Sequence, residues 1–200
     1  MLKLVVLLGF LAAFCAAENK GIAIITTGVS GVSGSLTFTE LSGGGVHIVG
    51  TIKGLTRGKH GFHIHSKGDL TDGCGSTGSH FNPYNKTHGA PDAEHRHVGD
   101  LGNIEAGANG IATVDITDKI ICLTGETGIL GRAVVVHSGE DDLGLQDTDE
   151  SHTTGSAGSR VGCGIIGILS DDFKFSGSGY VSPNILMLCG ASLLIYFKHW

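Results

Sequence analysis

The chain has 200 residues, 34 of them Gly, with 6% aromatic and 16% charged residues and a formal net charge of -6. That length suits one domain with appendages, and the acidic balance without a Lys/Arg cluster excludes a nucleic-acid-binding role. So much Gly fits a low-complexity chain or an all-β fold with many tight turns, and the short β-branched apolar runs select the all-β fold.

The first seventeen residues read as an address. Lys3 precedes an apolar run from Leu4 to Phe14, and the small residues Cys15-Ala16-Ala17 come before Glu18. A charged start, short apolar core and small-residue exit form a secretory signal peptide over 1–17, cleaved after Ala17. A buried N-terminal helix fits less well, because nothing amphipathic follows.

Alternating apolar positions then predict strands at 21–26, 36–39, 46–52 and 61–65, each broken by Gly or Ser. An irregular segment runs over 66–102, rich in Gly, Asp, Asn, Pro and His. Strands are predicted at 110–116, 120–123 and 132–137, followed by a second irregular stretch over 138–159 and a last strand at 160–168. The whole is an all-β, eight-stranded antiparallel Greek-key sandwich or barrel over 18–170, with two long loops and no helix. Loops of that length are functional or disordered, and the histidines in the first mark it as functional. A linker over 171–184 leads to a hydrophobic C-terminal tail over 185–200. The tail is too short for a spanning helix and reads as a GPI-attachment signal or a membrane anchor.

Cys15 and Cys189 lie in the two ends, which leaves Cys74, Cys122 and Cys163 in the body. A secreted domain favours pairing. Cys122 sits in an apolar run, where a thiol behaves as a small hydrophobe, so Cys74 and Cys163 in their Gly-rich settings are the expected pair. Asn85-Lys86-Thr87 is a glycosylation sequon within the first loop.

Histidine is the outlier, at 11 residues. His63 and His65 are two apart on a strand, so both face one side while Phe62 and Ile64 face the core. His80, His88, His97 and Asp100 follow in the loop, and three imidazoles with a carboxylate suit a closed zinc site. His137 ends a later strand and can complete a site with the first pair. His47, His60, His95, His152 and His199 are not expected to be ligands, and His60 reads as a structural hydrogen-bonder.

Gly-Phe-His-Ile-His at 61–65, Gly-Ser-His-Phe-Asn-Pro at 78–83, His-Val-Gly-Asp-Leu-Gly-Asn at 97–103 and Gly-Ser-Arg-Val-Gly-Cys-Gly at 158–164 together resemble copper/zinc superoxide dismutase, from about 21 to 169. The resemblance implies copper on His63, His65, His80 and His137, and zinc on His80, His88, His97 and Asp100, with His80 bridging the two ions. It implies that Asp141 hydrogen-bonds His63 and His88, that Arg160 docks the superoxide anion, and that Cys74 and Cys163 form a disulfide. It also implies conversion of superoxide to O2 and H2O2 and a homodimer, for which Ile165, Ile166 and Ile168 are the apolar candidates. Family members carry lysines in the second loop. Here that loop holds Glu140, Asp141, Asp142, Asp147, Asp149 and Glu150 and no Lys or Arg, which predicts weak steering of the anion. The competing function is a non-enzymatic copper/zinc-binding module or copper chaperone on the same fold. The full set of copper ligands, Arg160 and the absence of Cys-x-Cys or Cys-x-x-Cys transfer motifs argue against it. A surface adhesion domain stapled by zinc would leave His63, His65 and Arg160 without a purpose.

Overall fold

A computed structural model describes residues 18–175. The signal peptide, most of the linker and the apolar tail expected from the sequence, with Cys15 and Cys189, lie outside the described residues. The elements are β1 (Lys20–Ile25), β2 (Thr27–Gly28), β3 (Ser33–Glu40), β4 (Val46–Lys53), β5 (Gly58–His65), β6 (Thr71–Cys74), a 3-10 turn (Gly75–Thr77), β7 (Asp100–Ala106), β8 (Ile111–Asp118), β9 (Ala133–His137), α1 (Asp149–Thr154) and β10 (Arg160–Ile168).

Antiparallel pairing runs β1-β3-β4-β8-β7-β5-β9-β10, and β10 pairs back to β1 to close an eight-stranded barrel, with β2 as a short extra strand on β10. Closure removes the free edges that would otherwise template aggregation. The β7–β8 pair lies between β4 and β5, and β9 returns beside β5, so two connections cross the barrel ends in Greek-key fashion. On β3 and β4 the alternation works as read: Leu36, Phe38, Val46, Ile48 and Ile52 point inward and are fully buried.

β5 is different, because every residue from His60 to His65 is buried. Phe62 and Ile64 join the barrel core, while His63 and His65 face the outer side, where the two long loops cover them. β9 is buried on both faces for the same reason. Val134 and Val136 enter the core, and Ala133 and Val135 pack with Cys74 and Cys163 in a smaller cluster under the first loop. The disulfide Cys74–Cys163 is formed, with Cα atoms 5.8 Å apart, and Cys122 is free.

Four sequence expectations change. The segment 120–123 is no strand. Its first two amides are capped by Asp118, whose Oδ1 accepts from Ile120 and Ile121 at 2.8 and 2.9 Å, and Ile121 and Leu123 enter the core as loop residues. The eighth barrel strand is β7, inside and just beyond the segment read as irregular. The second loop carries α1, capped by the Thr148 side chain accepting from Ser151 N and closed by Gly155 in the left-handed region at φ 65°. Ile166 is wholly buried, and Ile168 shares its side of the strand opposite Gly21, so the outer apolar residues of β1 and β10 are Ile24 and Ile165 instead.

The described ends meet. Asn19 Nδ2 donates to Lys174 O at 2.8 Å, Lys174 N donates back to Asn19 Oδ1 at 2.9 Å, and Leu169 N donates to Lys20 O.

Candidate metal centre

Strand register assembles the centre. A bulge between Gly61 and His63 sets His63 opposite Asp100 of β7, and a second irregularity in β10 sets Arg160 opposite His137 of β9. Bulges of this kind re-aim side chains beside functional sites. An isolated antiparallel bridge then brings His80 of the first loop alongside His65.

Two clusters result, each offering one atom per residue within 4.8 Å of the others: His63, His65, His80 and His137, and His80, His88, His97 and Asp100. His80 belongs to both. In the first cluster each imidazole has one nitrogen fixed and the other turned to its neighbours. His63 Nε2 donates to Asp141 Oδ2 at 2.8 Å, His65 Nδ1 to Gly78 O at 2.8 Å and His137 Nδ1 to Gly158 O at 3.0 Å. That leaves His63 Nδ1 and His80 Nε2, both buried without a hydrogen-bond partner, and the Nε2 atoms of His65 and His137, which face each other at 3.3 Å. A buried nitrogen left unpaired costs about 1–3 kcal/mol, so convergent orphaned nitrogens fit a cation. Imidazole suits copper and zinc alike.

In the second cluster Asp100 Oδ1 stands 2.8, 3.0 and 3.1 Å from the Nδ1 atoms of His80, His88 and His97. Tetrahedral ligands at zinc bond lengths of about 2.0 Å lie about 3.3 Å apart, so the donor set is gathered at close to that spacing. The other Asp100 oxygen accepts from the backbone of Gly89 and His97. A third grouping, His63, His88 and Asp141, joins the two clusters. Asp141 Oδ1 accepts from His88 Nε2 at 2.8 Å as Oδ2 does from His63. Partners of this sort fix ring orientation and tautomer.

Burial dominates the electrostatics. It pushes His63 down to about 3, His65 to about 2 and His137 to about 4, helped by the neighbouring imidazoles, and it lowers His80 as well. Burial acts the same way on His88, but the carboxylates of Asp100 and Asp141 on either side outweigh it and raise His88 to about 9. Both carboxylates lie far below their usual range, because the imidazoles around them overcome the cost of burying a charge.

Arg160 sits at the edge of the first cluster. Its Nη1 donates to Cys74 O, Gly75 O and the Thr77 hydroxyl, and its Nη2 to Gly78 O at 2.6 Å. The segment fixed by the disulfide therefore holds the guanidinium. Asn85 is exposed and left-handed at φ 52°. His60 is buried and bonds the His137 carbonyl at 2.8 Å, in keeping with a structural role, and His47 is an exposed partner of Asp115.

Sequence reading missed several supports. Arg96 is buried and donates to Asp118 Oδ2 at 2.7 Å and to the carbonyls of Pro91, His97 and Val98, so it ties the zinc-side loop to the barrel. Asn103 brackets Asp141, accepting from its N–H and donating to its carbonyl, each at 2.8 Å. Gly155 is needed twice over, since its φ is positive and a Cβ there would overlap Asp141 Oδ1 and crowd His88. Only the capping Thr148 and the following Asp149-Glu150 carried a sequence signal, that of a helix start.

Residues 32–166 match the copper/zinc superoxide dismutase (SODC) family. The chain is 56% identical over 149 residues to superoxide dismutase [Cu-Zn] 2 of Mesembryanthemum crystallinum, a match covering 74% of this chain and 95% of that one. It is 57% identical over 138 residues to an extracellular superoxide dismutase [Cu-Zn] of Drosophila melanogaster, covering 68% and 76%. A crystal structure of the clock protein EA4 superposes with a TM-score of 0.73 at 49% identity, covering 77% of this chain and 97% of that one.

Proposed function

The chain belongs to the copper/zinc superoxide dismutase family, and from that premise we propose how its own residues carry the activity. The protein is an oxidoreductase that converts superoxide to O2 and H2O2 with copper and zinc as cofactors. The observation that carries the residue assignment is the double membership of His80, which offers Nε2 to one cluster and Nδ1 to the other.

His63, His65, His80 and His137 hold copper, and His80, His88, His97 and Asp100 hold zinc. Copper supplies the one-electron exchange in both directions, so that one superoxide is oxidised to O2 and another, with two protons, is reduced to H2O2. The chain supplies the rest. Asp141 keeps the His63 and His88 protons on their Nε2 atoms, so both rings present Nδ1 to the metals. The carbonyls of Gly78 and Gly158 do the converse for His65 and His137. Arg160 spends both Nη1 hydrogens and one on Nη2 on loop acceptors, which leaves Nε–H and the second Nη2–H to meet an anion beside His137. A guanidinium is always charged and its donors are fixed in a plane, so it orients O2⁻ as well as attracting it.

The test is metal analysis together with superoxide decay. The wild-type protein takes up one copper and one zinc per chain, by the two-cluster count. His80→Ala loses turnover and disturbs both ions, and His80→Ala with normal turnover and both metals would overturn the assignment.

The remaining readings concern the mature protein. We infer a signal peptide at 1–17, a catalytic domain over 18–170, a linker at 171–184, a tail at 185–200 that serves membrane attachment, and an extracellular location. The composition of the ends supports this, as does the similarity to a relative described as extracellular. Asn85 is exposed in its sequon and available to a glycan. Ile24 and Ile165, 49% and 42% exposed on adjoining strands, offer an apolar face for a second copy. Mass spectrometry of the native mature protein, with and without glycosidase, and sedimentation of the same sample check these together. An unprocessed N-terminus, an unmodified Asn85 or a monomer would each remove its own claim.

A further inference from the structure

The Thr77 side chain is wholly buried beside His65 of the first cluster. It ends the 3-10 turn that follows Cys74, and its hydroxyl has three polar neighbours from three parts of the chain. It donates to Cys74 O at 2.9 Å, it accepts from Arg160 Nη1 at 3.1 Å, and it stands 3.2 Å from His65 Nδ1. A hydroxyl has one hydrogen and two acceptor sites. The hydrogen goes to the carbonyl of the disulfide cysteine, so both lone-pair sites are left for groups that bring protons: the guanidinium and the His65 ring, whose Nδ1–H is already held by Gly78 O. The neighbours use that capacity in full.

We propose that Thr77 is a positioning residue for the reaction, setting Arg160 and His65 relative to one another through its hydroxyl. The inference rests on the copper assignment made above. Its physical content is a coupling. Arg160 and His65 share two acceptors, the Thr77 hydroxyl and Gly78 O. Gly78 fixes both through backbone and cannot be varied without moving the chain, since it lies at φ 79° and a Cβ there would overlap Ser66 Oγ. Thr77 is the one of the two acceptors carried by a side chain. Its removal frees Nη1 to swing on Cys74 O and Gly75 O alone, and lets the His65 ring tilt about its single remaining carbonyl. Both changes blur the place where an anion meets copper. A docking group displaced by a fraction of an ångström loses rate out of proportion to the stability it costs.

The test uses the fully metallated protein with Thr77→Val, which keeps shape and loses the hydroxyl, and Thr77→Ser, which keeps the hydroxyl and loses the methyl. The probe is azide, a small anion, titrated against the visible absorption of copper, alongside the second-order rate of superoxide decay. Thr77→Val should weaken azide and lower the rate by about five-fold each, the scale of losing one typical hydrogen bond, with copper and zinc contents unchanged. Thr77→Ser should return both to within about two-fold of wild type. Unchanged azide affinity and rate in Thr77→Val would overturn the proposal, and so would equal losses in the two variants, which would mark the methyl group as the cause. If Thr77→Val fails to load metal, Thr77→Ala is read against Thr77→Ser by the same two measurements and decides the matter in the same way. A wild-type protein that binds no copper would instead refute the underlying assignment.

Discussion

His63, His65, His80 and His137 are held neutral by burial, and that has a price in acid. His63, His65 and His137 titrate in the folded, metal-free protein at about 3, 2 and 4, against an unfolded value near 6.5. Below about pH 6.5 the unfolded chain binds protons that the folded chain refuses, so stability falls as pH falls. His88, raised to about 9, acts oppositely: its contribution is complete below about 6.5 and is lost as pH rises through 9. Three lowered groups outweigh one across the acid range. The denaturant midpoint of the metal-free protein should therefore drop steadily from pH 6.5 to 4, and a midpoint that rose on acidification would contradict the account. At this scale much was legible in advance. The histidines announced themselves by number and spacing, and Asp141 only through the family resemblance. Arg96 was silent because most of its partners are backbone carbonyls, which every residue owns and no sequence marks, and Thr77 because its partners Arg160 and His65 come from distant parts of the chain. Gly155 looked like one glycine among many until Asp141 and His88 were seen to fill the space where its side chain would be.

Strands that simply alternate, such as β3 and β4, could be read directly. β7 was hidden because it begins inside the motif that supplies Asp100, and a ligand run rich in Gly resembles a loop. The 120–123 run had the composition of a strand, but Asp118 takes its leading amides, and nothing in the run itself shows that. At six residues α1 is too short for a helical period to emerge, yet it matters, since His152 O accepts from His88 N at 2.9 Å and so ties the second loop to the first. The disulfide acts at the same scale. It spans 89 residues, and closing a loop that long contributes about 4–5 kcal/mol in the chain-entropy model. It also pins the turn whose carbonyls hold Arg160. Cys74→Ala with Cys163→Ala should lower stability by about that amount and reduce the rate of superoxide decay as well. Peptide mapping without reduction should find these two cysteines linked, and a linked peptide containing Cys122 would contradict the pairing.

Across the whole molecule the charge is of the wrong sign for an anionic substrate. Of the six carboxylates in the second loop, Glu140 is paired with Lys59 at 2.8 Å, Asp141 is buried between two histidines, and Asp142 accepts from Ser151 and Gly144. Asp147, Asp149 and Glu150 remain exposed, on a chain of formal charge -6. Attractive fields accelerate association about 10- to 1000-fold and fade with salt, with screening over about 8 Å at physiological ionic strength. Here Arg160 attracts at short range and the surface repels at long range. The second-order rate should therefore stay flat or rise as salt is added at fixed pH, and a steep fall would show that attracting charges govern the approach. The crossed asparagine bonds between residues 19 and 174 bear on handling. β10 carries Arg160 at one end and Ile168 opposite Gly21 at the other, about 25 Å apart at strand rise. Both exits leave from that far end, so the molecule has a back. A resin bead, a fluorescent partner or a lipid joined at either exit would hang it by that back, with the mouth turned outward.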